Sequence, residues 1–338
     1  ADTWQGGPAT VYGRVLAGDE VLAPWDAAGA AADGVWQGAI AGVPAGGPYT
    51  VSWKIGDNGE VAEVPHVLVG DLWVLAGQSN MFGRGDQRNL AEPDPRISAL
   101  GMDRVWRMAA DPIHNLAQSP DPVHYNAKSE EKRQQAIRAY AEGSRGGGLG
   151  IPFGKDMLAR TGRPVGLICT AHGVTSMDQW DPAKKDLGAK SLYGSMLLSV
   201  AAAGGRVRGV LWYQGENDAG RAPEAYQEKM LRFVDAVRAD LGDPGMPFLF
   251  VQLGRLVRAP NDANHIAGWN TVRTAQLAVE QAHNRCALAA AIDLELDDPI
   301  HIGTAGLKML GKRLAHLAEK YAFGAENSIG PRIAKVAR

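Results

Sequence analysis

From Asp71 onward the chain alternates short apolar runs with amphipathic ones, a rhythm that constrains the fold more than any other feature. Five runs are strand candidates: Leu72–Ala76, Val165–Thr170, Val207–Tyr213, Phe248–Leu253 and Ala287–Ile292. Helical spacing of three and four marks Tyr226, Met230, Phe233, Val237 and Leu241, within a helix expected from about Pro223 to Leu241. The same spacing recurs in Leu307, Leu310, Leu314, Leu317 and Tyr321. Strands that alternate with helices predict an α/β domain: a five-stranded, mostly parallel sheet with helices on both faces. Right-handed crossovers then bring the C-terminal ends of the strands to one edge, where such sheets build their sites.

Two stretches depart from this rhythm. Residues 1–68 lack helical periodicity and read as short strands, Thr10–Leu16, Val35–Ile40, Tyr49–Ile55 and Val61–Val67. Turn signals separate them, Gly46-Gly47-Pro48 and Asp57-Asn58-Gly59 among them, so a small antiparallel, sandwich-like β-domain is expected before an α/β domain over 69–338. Residues 83–150 are polar and broken by five prolines, with one charged helical piece from Ser129 to Glu142. A connection this long inside a compact domain is usually functional or mobile, and here it is expected to pass over the site.

The strand ends carry the chemistry. Gly77-Gln78-Ser79-Asn80-Met81 follows the first strand, which exposes Ser79 where backbone N–H groups of the next turn can face an oxyanion; as a lone serine it would read as a helix cap. Asp298-Pro-Ile-His301 follows the fifth strand, and a carboxylate three residues before a histidine can reach the imidazole from one loop. Among the eight histidines only His301 has that combination, and His172 is its nearest rival. Trp212-Tyr-Gln-Gly-Glu-Asn-Asp218 ends the third strand, where Asn217 and Gln214 both offer a neutral NH2 donor. After the second strand, Gly173 in His172-Gly-Val-Thr-Ser-Met-Asp-Gln-Trp180 lets a backbone N–H approach a ligand closely. Gln78, Glu216, Trp180 and Tyr213 are candidates to contact substrate; Trp212 belongs to the same aromatic set, and packing between strand and helix suits it equally.

These blocks, Ser79 in GQSNM, Gly173, Asn217 in GEND, and Asp298 with His301, resemble the four blocks of the SGNH (GDSL-type) hydrolases. More narrowly, VLVGDLWVLAGQSNM, PVGLICTAHGVTSMDQW and VLWYQGENDA resemble the sialate O-acetylesterase-like carbohydrate esterases. The resemblance covers most of the chain and is weakest over 83–150. It implies a flavodoxin-like three-layer sheet and serine deacetylation without metal or cofactor. It carries over Ser79, Asp298 and His301 as the triad, with the Ser79 N–H, the Gly173 N–H and the Asn217 side chain as oxyanion donors. Relatives often have Gly-Gly where this chain has His172-Gly173, and Ser where Asn217 stands, so Gln214 stays a competing donor. Relatives also often continue past a Ser-Gly-Pro stretch, which corresponds here to Ser328-Ile-Gly-Pro331.

The expected function is therefore a carbohydrate O-acetylesterase with an acetylated sugar as partner and a small acyl pocket. The alternatives are another SGNH esterase (lipase, thioesterase or arylesterase) and a non-catalytic carbohydrate-binding protein. Composition narrows the field further. A net charge of −2 without a basic run gives no reason to expect nucleic acid, and no apolar run is long enough to span a bilayer. Cys169 and Cys286 sit in apolar strands and suggest no disulfide; no H-E-x-x-H-like spacing suggests a metal. The start, Ala-Asp-Thr-Trp, fits a mature end after export, so a periplasmic or secreted location is expected, with the cytoplasm as alternative. Oligomeric state is not legible.

Overall fold

The structure, a computed structural model, describes residues 6–257 and 263–326. It divides into two compact units, one formed by residues up to Asp71 with Gly162–Pro164, the other by Leu72–Thr161 and residues from Val165 onward. Ser328–Pro331 lies outside the described residues.

The first unit holds one five-stranded antiparallel sheet: β1 (Ala9–Ala17), β2 (Glu20–Ala32), β3 (Val35–Gly38), β4 (Gly46–Ile55) and β5 (Ala62–Val69), in the order β3-β2-β1-β4-β5. The small antiparallel β-domain expected here thus takes the form of one five-stranded sheet. The strand without a sequence signal is β2, at 13 residues the longest of the five. Its run EVLAPWDAAGAAA is poor in β-branched residues, so pairing with β1 through the Gly18-Asp19 turn makes it a strand rather than propensity. Gly18 has φ +60°, the left-handed geometry that such a two-residue turn requires.

The second unit is built on a seven-stranded sheet. After β6 (Asp71–Gly77) come α1 (Ser79–Phe82), β7 (Gly85–Asp86), β8 (Ile97–Leu100), β9 (Trp106–Met108), α2 (Glu130–Ala141), β10 (Arg145–Gly147) and α3 (Gly150–Thr161). There follow β11 (Val165–Cys169), α4 (Leu192–Ala202), β12 (Gly209–Tyr213), α5 (Glu216–Ala219), α6 (Tyr226–Asp240), β13 (Phe248–Val251), α7 (Ala263–Ala282), β14 (Cys286–Ala289) and α8 (Thr304–Phe323). The strand order is β14-β13-β12-β6-β11-β8-β9, with β9 antiparallel on the edge. The five expected strands are the central ones, and their order β11-β6-β12-β13-β14 is the flavodoxin-like 2-1-3-4-5. The correction from five strands to seven comes from β8 and β9, four and three residues long, whose apolar signal is lost among Pro93, Pro95 and the surrounding charges.

Strand periodicity explains the layers. Trp73 and Trp212 sit on neighbouring strands paired Gly209 with Trp73 and Trp212 with Ala76, so their side chains leave opposite faces. Trp73 meets Phe153 of α3 edge-on at 5.1 Å, and Trp212 meets Phe233 of α6 at 4.6 Å. Helix α8 packs on α3, and α4 joins α6 through Tyr193 and Phe233 at 5.7 Å. The result is three layers. Leu307, Leu310 and Leu314 of α8 and Tyr226, Met230, Phe233 and Val237 of α6 are fully buried, as their spacing requires. Cys169 and Cys286 are buried and free.

Candidate active site

The strand order reverses between β6 and β12, and in open α/β sheets that reversal is where sites form. Ser79 follows β6 there and Asn217 follows β12. Gly77 makes the turn possible: at φ +128° a Cβ would meet the Tyr213 carbonyl oxygen at 2.2 Å, so only glycine fits beneath the serine.

Ser79 Oγ lies 2.9 Å from His301 Nε2. On the other side of the ring, His301 Nδ1 lies 2.8 and 2.9 Å from the two oxygens of Asp298. The loop that carries both residues closes on itself, since Asp297 N–H donates to the His301 carbonyl at 2.8 Å. Asp298 Oδ1 also accepts from the backbone N–H groups of Ile300 and His301, at 3.1 and 2.9 Å. Burial alone would raise the Asp298 carboxyl. These N–H groups and the imidazole outweigh it and hold the pKa below the usual carboxylate range. Arg145 flanks the loop, 3.0 Å from Asp297 and 4.0 Å from Asp298.

The oxyanion candidates separate clearly. Ser79 opens α1, so its N–H has no intrahelical acceptor. Gly173 is adjacent, with a Cβ built on it 3.9 Å from that of Ser79. The Asn217 side-chain nitrogen is buried and has no hydrogen-bond partner among the described residues. Gln214 is already committed, because its NH2 donates to Asp218 at 2.6 Å, the Thr175 carbonyl at 2.8 Å and Gln78 at 3.2 Å. It is therefore a brace between loops, not a free donor. Asp218 completes the brace by accepting from Met177 N–H at 3.1 and 3.2 Å, which ties the Gly173 loop to the Asn217 loop.

The four candidates for substrate contact all turn inward. Trp180 is fully buried, donates to Thr175 Oγ1 at 3.0 Å and packs edge-on against Trp212. Tyr213 is 1% exposed, and Gln78 spends its carbonyl on Gln214 and on Asn217 N–H. Glu216 is buried, and its Oε1 accepts from Asn80 at 2.7 Å. Aromatic and polar residues at strand ends looked like site walls because the sequence shows position along a strand, not depth.

Apart from Phe82 of α1, the walls come instead from the 83–150 excursion. A cavity of about 470 Å³ opens at Ser79, Gly173, Val174 and His301, and its sides include Phe82, Arg84, Asn115, Leu116, Ala117, Tyr125, Ala136 and Tyr140. Helix α2 is fastened over it: Asn115 donates to the Ile137 carbonyl at 3.1 Å, and Arg133 to the carbonyls of Ala117 and Ser119 at 2.8 and 2.7 Å. The Arg84 guanidinium, by contrast, makes no hydrogen bond or ion pair among the described residues. Sequence reasoning missed these residues, which follow no periodic pattern, and also Asn80 and Asp218, which stood unassigned inside quoted motifs. No cluster of three or more His, Cys, Asp or Glu among the described residues could hold a metal ion, and no described helix is long and apolar enough to cross a membrane.

Comparison with known proteins gives the family and the fold. Residues 69–320 match the family described as carbohydrate esterase, sialic acid-specific acetylesterase. A probable carbohydrate esterase of Arabidopsis thaliana is 26% identical over 267 residues, which cover 72% of this chain and 88% of that protein. A carbohydrate acetylesterase from Xanthomonas citri has a similar fold, with a TM-score of 0.65 at 24% identity over 96% of this chain and 72% of its own. An Arabidopsis thaliana crystal structure follows at 0.57 and 24% identity, over 75% of this chain and 98% of that one.

Proposed function

Because the chain belongs to the sialic acid-specific acetylesterase family of carbohydrate esterases, we propose that it removes acetyl groups from sugars with Ser79 as nucleophile. The observation that carries this reading is the unbroken line from Ser79 Oγ through His301 to Asp298, with contacts of 2.9 and 2.8 Å. Ser79 Oγ attacks the acetyl carbonyl as His301 Nε2 takes its proton, and Asp298 stabilises the imidazolium that forms. The N–H groups of Ser79 and Gly173 and the unpartnered amide of Asn217 receive the oxyanion. His301 then protonates the departing sugar oxygen, and water, its proton taken by His301, releases acetate from the acetyl-serine and regenerates the Ser79 hydroxyl.

The cavity is far larger than an acetyl group, so the sugar occupies it. Tyr125 and Tyr140 offer flat apolar surfaces to a pyranose face, and Arg84 and Asn115 offer donors to its oxygens. The decisive experiment measures acetate release from a panel of acetylated glycans, with Ser79→Ala as control. Release from glycans that Ser79→Ala abolishes supports the reading, and release that survives in Ser79→Ala sinks it. The apolar share of the cavity wall also favours a second reading, an esterase for larger acyl groups. A p-nitrophenyl ester series separates the two: preference for chains longer than acetyl selects the second.

A further inference from the structure

Five polar side chains form one continuous chain beside the site. Arg104 bonds Asp121 Oδ2, and Ser195 Oγ donates to the same oxygen at 2.5 Å. His124 Nε2 lies 3.0 Å from Ser195 Oγ, and His124 Nδ1 lies 3.0 Å from His172 Nδ1, the two rings stacked at 5.2 Å. Arg104, Asp121 and His124 belong to the excursion, Ser195 to α4, and His172 to the loop that presents Gly173.

The order of protons along this chain is determined from its carboxylate end. The Asp121 carboxylate accepts a hydrogen bond from the Ser195 hydroxyl, so Ser195 Oγ in turn accepts from His124 Nε2–H and is no second nucleophile. Burial, with the charge of neighbouring His172, His114 and Arg104, pushes the His124 pKa down to about 3 and keeps the ring neutral. Its Nδ1 is then a lone pair, which requires the proton on His172 Nδ1. The loop beyond needs this anchor. Val174 has φ +59°, a conformation that disfavours a β-branched residue by on the order of 1–2 kcal/mol, and its own side chain is exposed.

We propose that His172 is a positioning residue: its Nδ1–H, fixed through His124, Ser195, Asp121 and Arg104, sets where Gly173 holds its N–H for the oxyanion. The proposal rests on the reading of Ser79 as nucleophile and Gly173 as donor. It also gives the excursion a second task besides lining the cavity.

The test exploits the two ring nitrogens. His172→Asn places an amide N–H near the Nδ1 position, whereas His172→Gln places one near Nε2. Kinetics on p-nitrophenyl acetate are measured for both, for Ser195→Ala and for Ser79→Ala, with thermal melts to establish folding. The expected result is a kcat within about threefold of the parent for His172→Asn and about 10- to 100-fold lower for His172→Gln, with KM within about twofold in each. Ser195→Ala, remote from substrate, should also lower kcat. A parental kcat in His172→Gln, equal losses in both His172 variants, or a loss carried by KM overturns the proposal. If His172→Gln does not fold, an unchanged kcat in Ser195→Ala overturns it. Activity surviving in Ser79→Ala overturns the nucleophile reading instead, so the two failures are distinct.

Discussion

The side-chain amide of Asn80 grips the backbone on both sides of His301: Nδ2 donates to the Ile300 carbonyl at 3.2 Å, and Oδ1 accepts from Ile302 N–H at 3.0 Å. A third bond, from Nδ2 to Glu216 Oε1 at 2.7 Å, fixes which way the amide faces. Asn80 follows Ser79 directly in the chain, so one residue fixes the base loop relative to the nucleophile. The Ser79 to His301 contact of 2.9 Å therefore depends on a side chain whose hydrogen bonds go to neither of those two residues.

Replacing Asn80 by Ala should lower kcat by about 10- to 100-fold through misplacement of His301, with little change in KM. The same substitution strands buried backbone groups and the Glu216 carboxyl, a loss of about 1–3 kcal/mol for each unsatisfied group. Steady-state kinetics and denaturant melts on one preparation check both. A variant destabilised but with parental kcat would show that the grip serves folding alone.

Glu216 predicts a pH dependence of stability. Burial raises its carboxyl from 4.5 to about 7, against the opposing pull of the Asn80 hydrogen bond. Between those two values the folded protein holds a proton that the unfolded chain has released, so stability is full below about pH 4.5 and falls as pH rises through 7. Glu216→Gln keeps an acceptor for Asn80 and cannot ionise. Its loss of stability over that window should be smaller than the parent's by on the order of 3 kcal/mol. Asp111, raised by burial to about 7, adds a slope of the same sign that survives in the variant. Identical slopes for parent and variant, read from denaturant midpoints, would contradict this role.

Asn217 and Gln214 should fail in different ways. Asn217→Ala removes a donor with no other partner, so kcat should fall about 10²- to 10³-fold with stability nearly unchanged. Gln214→Ala breaks three hydrogen bonds of the brace and should reduce stability by a few kcal/mol. Comparable loss of kcat from both, at parental stability, would restore Gln214 as a donor.

Much of this site could be read from residue order because its chemistry sits at strand ends. Apolar runs located β6, β12 and the loop after β14, and Asp298 lies three residues from His301 on one short loop. What could not be read were contacts that join distant segments. Asn80 meets Ile300 across 220 residues of sequence, and His124 meets Ser195 across 71. Neither pairing leaves a periodic trace. Trp180 and Tyr213, expected at the substrate, lie in the core for the opposite reason, since a residue at the right strand end can point into the core as readily as into the site. The excursion was legible only in part: its charged helix, expected over Ser129–Glu142, is α2, whereas β8 and β9 are too short to leave a signal, and the contacts of Asn115 and Arg133 that fasten α2 over the cavity have no trace in the sequence.

If that fastened helix forms the sugar-binding wall, filling the cavity from α2 should separate sugar recognition from ester chemistry. Ala136 lines the cavity with a small side chain, so Ala136→Trp takes up volume there while Ser79, His301 and Asp298 themselves are unaltered. On acetylated oligosaccharides kcat/KM should fall by about tenfold or more, mainly through KM, because substrate and transition state lose the same contacts. On p-nitrophenyl acetate, whose leaving group is smaller than an oligosaccharide, the change should stay within about threefold. Trp180→Ala is the contrasting case: it empties a fully buried position and should lower stability by about 3–5 kcal/mol. Its KM should remain parental. An Ala136→Trp enzyme that handles the oligosaccharide normally would move the sugar off α2 and leave the excursion only its hold on the His172 loop.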